Sequence, residues 1–593
     1  MFREAEKQLQ RYYGYASFRN GQQEIVTSLL ARQDTLGIMP TGGGKSVCYQ
    51  IPALLFPGLT LVISPLIALM KDQVDALASM GIQASFINSS LSGSEVSARM
   101  RAARLGEYKL LYIAPERLEA PGFRAMILDM PVSFLAIDEA HCMSQWGHDF
   151  RPSYRAIADW VAEMPERPLI GAFTATATQE VREDIIRLLA LRNPNVYISG
   201  FDRDNLTFLV RKGENKQDFI LSYIKVNKGQ SGIIYAATRR EVDGLHALLV
   251  RKGITAGRYH AGLSDTERSE MQERFLHDDL EVMVASNAFG MGINKSNVRY
   301  VIHHNMPKNI EAYYQEAGRA GRDGEPGECV LLFGPQDVQT QRFFIEQSEL
   351  PPERKENEYR KLQAMVDYCH TTHCLRQHLL QYFGEAAPAA CGACSSCTDE
   401  AEMVDSTVDA QKIFSCIYRM RERFGAAMVA GVLKGSRSKK VLDTGFNSLP
   451  TYGIMANYTE KQIVDLIHLF TAEGYLALSE GKYPVLSLLP KSWAVLKNGE
   501  QVLRKVRVEK QKAAPDDALF EQLRAVRKEI AQREGIPPYI VFSDRTLREM
   551  SELRPADEEE MHRVKGMGDV KFERYGLIFL EAIQKYVGAQ TVQ

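Results

Sequence analysis

No apolar run in the 593 residues is long enough to cross a bilayer, which takes about 20 predominantly apolar residues. A helical membrane protein is thereby excluded. The opening stretch, MFREAEKQLQRYYGY, lacks the basic-then-apolar pattern of a secretory signal, so a cytoplasmic protein is expected. Cysteine is sparse: nine residues in a chain this long do not make a disulfide scaffold. Net charge is nearly absent, at −2, so the distribution of charge matters more than its sum. No fixed-period repeat is visible.

What is present reads as several ordinary globular units. The length predicts roughly four domains, and 45% apolar with 25% charged residues is usual for globular chains. The first third alternates short apolar runs, such as TLGIM, LTLVISP, KLLYIAPE, SFLAIDEA and PLIGAFTAT, with longer helical patterns. That alternation predicts an α/β unit with a parallel sheet covered on both faces. It resumes after Phe201-Asp202-Arg203 with SGIIYAAT, ITAGRYHAG, LEVMVASNA and VRYVIHHNM, giving a second such unit. Residues 336–383 then read as helices, and 409–510 as three helices and a short hairpin. QKAAPDDA has linker composition, and 519–586 reads as all-helical. Residues 405–512 hold 17 Lys/Arg against 10 Asp/Glu, and residues 516–593 hold 12 against 15. A basic module therefore precedes a mildly acidic one.

MPTGGGKS (39–46) follows a strand and precedes a helical pattern, the setting of a phosphate loop. Thr41, Gly42, Gly43 and Gly44 let backbone N–H groups approach phosphates, Lys45 reaches the β/γ-phosphates of ATP, and the Ser46 hydroxyl suits Mg²⁺. The first glycine of the pattern is Met39 here. Asp138 and Glu139 close another apolar run, where Asp138 suits Mg²⁺ and Glu139 suits activation of a water. Gln315, Arg319 and Arg322 in YYQEAGRAGRDG supply polar and cationic groups from the second unit. Arg319 and Arg322 would reach a polyphosphate only when the two units close. One loop beyond the acids, Trp146, His148, Phe150, Arg151 and Tyr154 crowd into nine residues. Trp146 and Phe150 suit stacking on unpaired bases, and Arg151 suits a phosphate.

Cys374, Cys391, Cys394 and Cys397 form C-x16-C-x2-C-x2-C, a thiolate set for a closed, structural Zn²⁺. Cys369, His370 and His373 lie close by but are expected to be structural or surface residues. Arg437, Lys439 and Lys440 in KGSRSKK suit contacts to duplex phosphates.

In order along the chain, YGYASFRNGQQEIV, MPTGGGKS, SPLIALMKDQV, DEAH, SQWGHDFRPSY, TATAT, FGMGIN and QEAGRAGR resemble the motifs of the RecQ family of superfamily 2 DNA helicases. The resemblance implies two tandem RecA-like doubly wound domains (1–205 and 206–335). A helical zinc-binding module (336–404), a winged-helix domain (405–512) and a small all-α HRDC domain (516–593) would follow. It implies that Tyr15, Arg19 and Gln22 recognise adenine, and that the aromatic-rich loop senses DNA and reports to the ATPase. It further implies 3′→5′ translocation on single-stranded DNA with unwinding of duplex or forks in recombination and repair. Single-stranded-DNA-binding protein and other repair proteins are the implied partners, and the nucleoid the implied place. The glycines of VKGMGDVKFERYG are expected to offer N–H groups to phosphates, and the hairpin around Glu480-Gly481-Lys482 is short for a strand-splitting pin.

Three rival readings compete. A DEAD-box RNA helicase would carry Asp where His141 stands and would not need the cysteine cluster. A duplex translocase or remodeller that does not separate strands shares the ATPase but responds to blunt duplex. A non-enzymatic DNA-binding protein would lack Lys45, Glu139 or Arg322, and all three are present.

Overall fold

Apolar runs of four to seven residues are too short for helices and become strands. In the computed structural model, which describes residues 1–147, 149–290, 295–398, 402–479, 484–506 and 518–590, the first unit has seven. They are β1 (Thr35–Ile38), β2 (Leu59–Ile63), β3 (Ala84–Ile87), β4 (Leu110–Ile113), β5 (Val132–Ile137), β6 (Leu169–Thr174) and β7 (Asn195–Ile198). All pair in parallel, in the order β3-β4-β2-β5-β6-β1-β7. β1, β2, β4 and β6 are buried throughout, which is why they read as continuous rather than alternating apolar runs. The second unit has β8 (Leu206–Lys212), β9 (Ser231–Tyr235), β10 (Ala256–Tyr259), β11 (Val282–Ala285), β12 (Val298–His303) and β13 (Gly327–Phe333). These are also parallel, in the order β10-β11-β9-β12-β13-β8. Four of the thirteen (β3, β7, β8 and β13) fall outside the apolar runs that the sequence pattern picks out. β3 and the early part of β8 alternate buried and part-exposed residues, and β7 alternates half-buried and exposed ones, so their apolar signal is diluted.

One apolar core is continuous through both lobes and the zinc module, with Phe201, Tyr314 and Phe383 packed ring against ring where the three meet. The helices Pro352–His370 and Leu375–Tyr382 lead into the cysteine cluster. The basic module has its own core, and the last module another. The basic module is richer than expected. Beyond the antiparallel pair Leu476–Leu478 and Leu486–Leu488 it has a helix, Pro490–Asn498, and a strand, Leu503–Val506, paired with Glu402–Asp405. His148, the end of FGMGIN (291–294), the hairpin tip 480–483 and most of the linker lie outside the described residues. Among the described residues, no helix is long and apolar enough to cross a membrane.

Candidate active site

Parallel sheets gather their loops at the carboxyl ends of the strands, and three loops of the first lobe meet there. Ile38 ending β1 pairs with Thr174 ending β6, and Ala172 of β6 pairs with Ile137 ending β5. The phosphate loop leaves β1, the acidic pair leaves β5, and TATAT leaves β6 between them. Gly42 and Gly44 have φ of 82° and 80°, left-handed values that suit glycine. Met39 explains its own departure from the pattern. It is buried in the lobe's apolar core, 3.5 Å from the Cys48 sulfur, where no phosphate needs to approach.

A cavity of about 330 Å³ opens against this loop. Thr41, Gly42, Gly44, Lys45, Ser46, Asp138 and Glu139 line it from the first lobe, and Gln315, Arg319 and Arg322 from the second. The two arginines expected to need closure are therefore already in the cleft. They lie on the turn that follows the helix Ile310–Ala317. Arg319 Nε and Nη1 are buried with no hydrogen-bond partner among the described residues. Burial, reinforced by Arg319 and Arg203, pushes Arg322 down to about 9. Asp138 is driven the other way, to about 7, by burial and by Glu139, with Lys45 only partly offsetting them. A cavity that pushes a carboxyl up and a guanidinium down disfavours both charges on its own, and is arranged for a cation on one side and an anion on the other.

Glu139 sits at φ 48°, a strained value for a side chain of its size. Its carboxylate lies 3.7 Å from Lys45 Nζ and 3.3 Å from His141 Nδ1. The same His141 nitrogen is 2.8 Å from Thr174 Oγ1, which reaches the Thr176 carbonyl. His141 thus ties the acidic pair to TATAT. The aromatic-rich loop starts from this knot. Gly147 packs so near the His141 carbonyl that a Cβ would stand 2.3 Å from it, and the Arg151 N–H donates to the Cys142 carbonyl at 2.7 Å. Trp146 is 37% exposed, and Phe150 lies between Arg155 and Arg354. Arg151 Nε contacts Asp149 at 3.1 Å and Nη1 donates to the Pro65 carbonyl at 2.8 Å, so part of its guanidinium already serves the protein.

The cysteines also converge. Their four sulfurs lie within 4.8 Å of one another, with Cys391–Cys397 at 4.0 Å and Cys374–Cys394 at 3.9 Å. A tetrahedron of thiolates about 2.3 Å from Zn²⁺ requires about 3.8 Å between sulfurs, so the residues fit that ion. Burial raises the Cys394 thiol to about 12. Against burial, the N–H groups of Ala393 and Cys394 draw Cys391 down to about 7. Cys369, His370 and His373 are not among the residues that meet at the cluster.

Family models match five consecutive regions: "DEAD/DEAH box helicase" over 19–185, "Helicase conserved C-terminal domain" over 215–324, "RecQ zinc-binding" over 335–398, "RQC domain" over 400–513 and "HRDC domain" over 516–583. The chain is 52% identical over 587 residues to the ATP-dependent DNA helicase RecQ of Bacillus subtilis, covering 99% of each. The chain belongs to the RecQ helicase family. It is 42% identical to the RecQ of Haemophilus influenzae (98% of this chain, 95% of that one) and 31% identical to the RecQ-like DNA helicase BLM of Xenopus laevis (98% and 46%). As a RecQ-family ATP-dependent DNA helicase it uses ATP, acts on DNA and carries a zinc-binding module.

Other expected site residues lie outside the cavity. Gln22 donates to the Gly43 and Gly44 carbonyls at 3.0 and 3.3 Å, and Arg19 to the Gly42 carbonyl at 3.3 Å. Tyr15 stands exposed beside Arg19. Gln22 and Arg19 abut the phosphate loop, Tyr15 stands behind Arg19, and none of the three lines the cavity. Arg437, Lys439 and Lys440 are exposed, at and just before the short helix Lys439–Asp443. The HRDC glycines are the main correction. Gly566 and Gly568 pack backbone to backbone on Gly14, and the Gly566 N–H points to the Gly14 carbonyl at 3.4 Å. That hairpin meets the end of the first helix, not a free phosphate-binding face.

Sequence reasoning missed Arg203, which reads there only as the joint between lobes. Its guanidinium donates to the Thr41 carbonyl of the phosphate loop, and to Ala320 at 3.2 Å and Gly321 at 2.7 Å on the arginine turn. An arginine between two aspartates at a domain junction was the available signal.

Proposed function

We propose that this helicase translocates 3′→5′ on single-stranded DNA and separates duplex or forked DNA in recombination and repair. One observation carries the reading: Arg319 and Arg322 of the second lobe share a single cavity with the phosphate loop and acidic pair of the first. Lys45 and the loop N–H groups bind the β/γ-phosphates, and Ser46 and Asp138 would hold Mg²⁺, which supplies charge neutralisation on those phosphates. Glu139 orients the attacking water and takes its proton, its carboxylate steadied by Lys45 and His141. Arg319 and Arg322 stabilise charge on the transferred phosphoryl group, Gln315 contacts it, and Arg203 fixes the arginine turn against the phosphate loop. Tyr15, Arg19 and Gln22 take the adenine beside that loop.

Trp146 and Phe150 stack on unpaired bases and Arg151 reaches a phosphate, while the tie through Gly147 and His141 carries the event to Glu139. Arg437, Lys439 and Lys440 hold the duplex. The polarity rests on kinship with the family, as do single-stranded-DNA-binding protein and repair proteins as partners. The test is phosphate release with single-stranded against blunt duplex DNA, alongside strand displacement from 3′-tailed and 5′-tailed substrates. Stimulation by single strands with displacement from the 3′ tail supports the reading. Stimulation by blunt duplex without displacement would make it a duplex translocase.

A further inference from the structure

The zinc module does more than cover the second lobe. Its longest helix, Pro352–His370, lies between the aromatic-rich loop of lobe 1 and the helix Ile310–Ala317 of lobe 2, which leads into the arginine turn. Three cations on that helix face the loop. Arg354 lies 5.2 Å over the Phe150 ring, Arg360 lines a hollow with Trp146, and Lys361 reaches deepest. Lys361 is 9% exposed. Its ammonium donates to the Trp146 carbonyl at 2.9 Å and stands 3.0 Å from Glu311 Oε1.

Glu311 is itself 3% exposed and occupies the first turn of the 310–317 helix, whose start is capped by Asn309. Gln315 follows one turn later in the nucleotide cavity, and Arg319 one turn after that. A lysine bonded to a backbone carbonyl on one side and a buried carboxylate on the other has a fixed position. It therefore holds the loop that meets DNA and the helix that aims the arginines in one register. A helix moves as a rigid element, so displacement at Glu311 is felt at Gln315 and at the turn beyond it.

We propose that Lys361 is a positioning residue that couples DNA occupancy of the aromatic-rich loop to the arginine turn, making the 352–370 helix a transmission element. The proposal rests on the functional reading that this loop meets single-stranded DNA. When bases stack on Trp146 and the loop moves, the carbonyl held by Lys361 moves with it. The ammonium then rebalances toward Glu311, and the 310–317 helix shifts with the arginines it leads to.

The test compares Lys361→Met, which keeps the length and loses the charge, with Lys361→Arg. Phosphate release is measured with and without single-stranded DNA over a range of ATP concentrations, with zinc content and thermal melting as controls on folding. The expected result for Lys361→Met is DNA-free turnover within about twofold of the parent, while kcat at saturating DNA falls at least tenfold and KM for ATP stays within about threefold. Lys361→Arg should restore much of the stimulation. If Lys361→Met loses zinc or melts early, Lys361→Met/Glu311→Gln removes the uncompensated carboxylate and is judged by the same numbers. Full stimulation in the variant, or equal loss with and without DNA, would overturn the proposal. A parent protein that single strands do not stimulate would instead overturn the functional reading on which it rests.

Discussion

Asp138, buried in the nucleotide cleft, and Asp278, largely covered by the HRDC module, are carboxylates on the helicase lobes whose surroundings push them in opposite directions. Burial and the neighbouring Glu139 raise Asp138 to about 7. Burial would raise Asp278 too, but Lys295 and Arg527 outweigh it and hold the carboxyl well below the usual range. The difference lies in who supplies the counter-charge. At Asp278 the fold supplies it: Lys295 is fully buried against it, and Arg527 lies 3.9 Å away, held also by Asp544 at 2.8 Å. At Asp138 the fold leaves the compensation to a ligand, and Arg319 has no carboxylate partner among the described residues, whereas Arg527 has two. A site that must bind and release charge carries that imbalance; a site that only holds modules together does not.

The zinc cluster stands apart from both, because backbone N–H groups steady its sulfurs but only a metal ion can balance four thiolates. Cys394→Ser should therefore disturb the molecule more than any substitution in the cleft or under the HRDC module. Structural zinc carries about 10–16 kcal/mol of apparent binding energy, and the cluster borders the core shared by both lobes. The variant should lose its metal, and the whole chain should melt far below the parent, as read by zinc content and calorimetry. A normal melt without zinc would place the cluster outside the structural core.

Changes in the cleft should instead cost rate and spare the fold. Arg322→Ala should slow hydrolysis by about 10³–10⁵-fold, and Glu139→Gln by about 10²–10⁴-fold. Both should leave single-stranded DNA binding near the parent value. Phosphate release and fluorescence anisotropy on the same preparations check this, and normal turnover in Glu139→Gln would remove it from the chemistry.

A smaller effect sharpens the comparison further. Arg319→Met removes buried donors that lack partners, each of which costs about 1–3 kcal/mol. The nucleotide-free variant should melt at or above the parent temperature while its hydrolysis collapses, the exchange of stability for function expected at a site that stores unsatisfied charge. Destabilisation of the nucleotide-free protein would show that Arg319 is compensated after all and would erase the contrast with Asp278.

The two kinds of site were not equally legible. The phosphate loop, the acidic pair and the cysteine set announce themselves because each needs particular residue types at short spacing. The strands of both sheets were mostly legible where both faces are buried and less so at β3, β7 and β8, where exposure alternates; β13 was missed although six of its seven residues are buried. Arg203, Lys361 and the seat of the HRDC module were not legible, because each acts on groups far off in sequence, such as Trp146 for Lys361. Charge gave only part of the answer in the last case. The module's net −3 argues against strong DNA affinity and suits a weak or protein-facing role, and its arginines do turn toward the lobes. Arg527 meets Asp278, Arg548 meets Glu325, Arg524 reaches the Gly229 carbonyl at 3.0 Å, and Arg574 reaches the Ser79 carbonyl at 2.7 Å. Net charge reports a total, and docking depends on which face carries which sign.

The smallest expected effect is a lack of response to pH across the neutral range. The folded-state pKa of Asp278 lies below its unfolded value, so its contribution to docking is fully present above that unfolded value of about 3.9. It is lost only as the pH falls from there through the folded value. The Asp278 contribution to HRDC docking should therefore stay constant between pH 8 and pH 5. With Glu325, whose carboxyl is raised by burial, replaced by Gln, the radius of gyration of the full chain by small-angle scattering should not change over that interval. Asp278→Asn should loosen the module at neutral pH, because Lys295 would then be buried beneath it without a counter-charge and Arg527 would keep only Asp544. Both measurements bear on the same carboxylate. Expansion of the Glu325→Gln protein between pH 7 and pH 5 would mean that groups titrating near neutrality hold the module, and Asp278 would no longer stand as the compensated counterpart of Asp138.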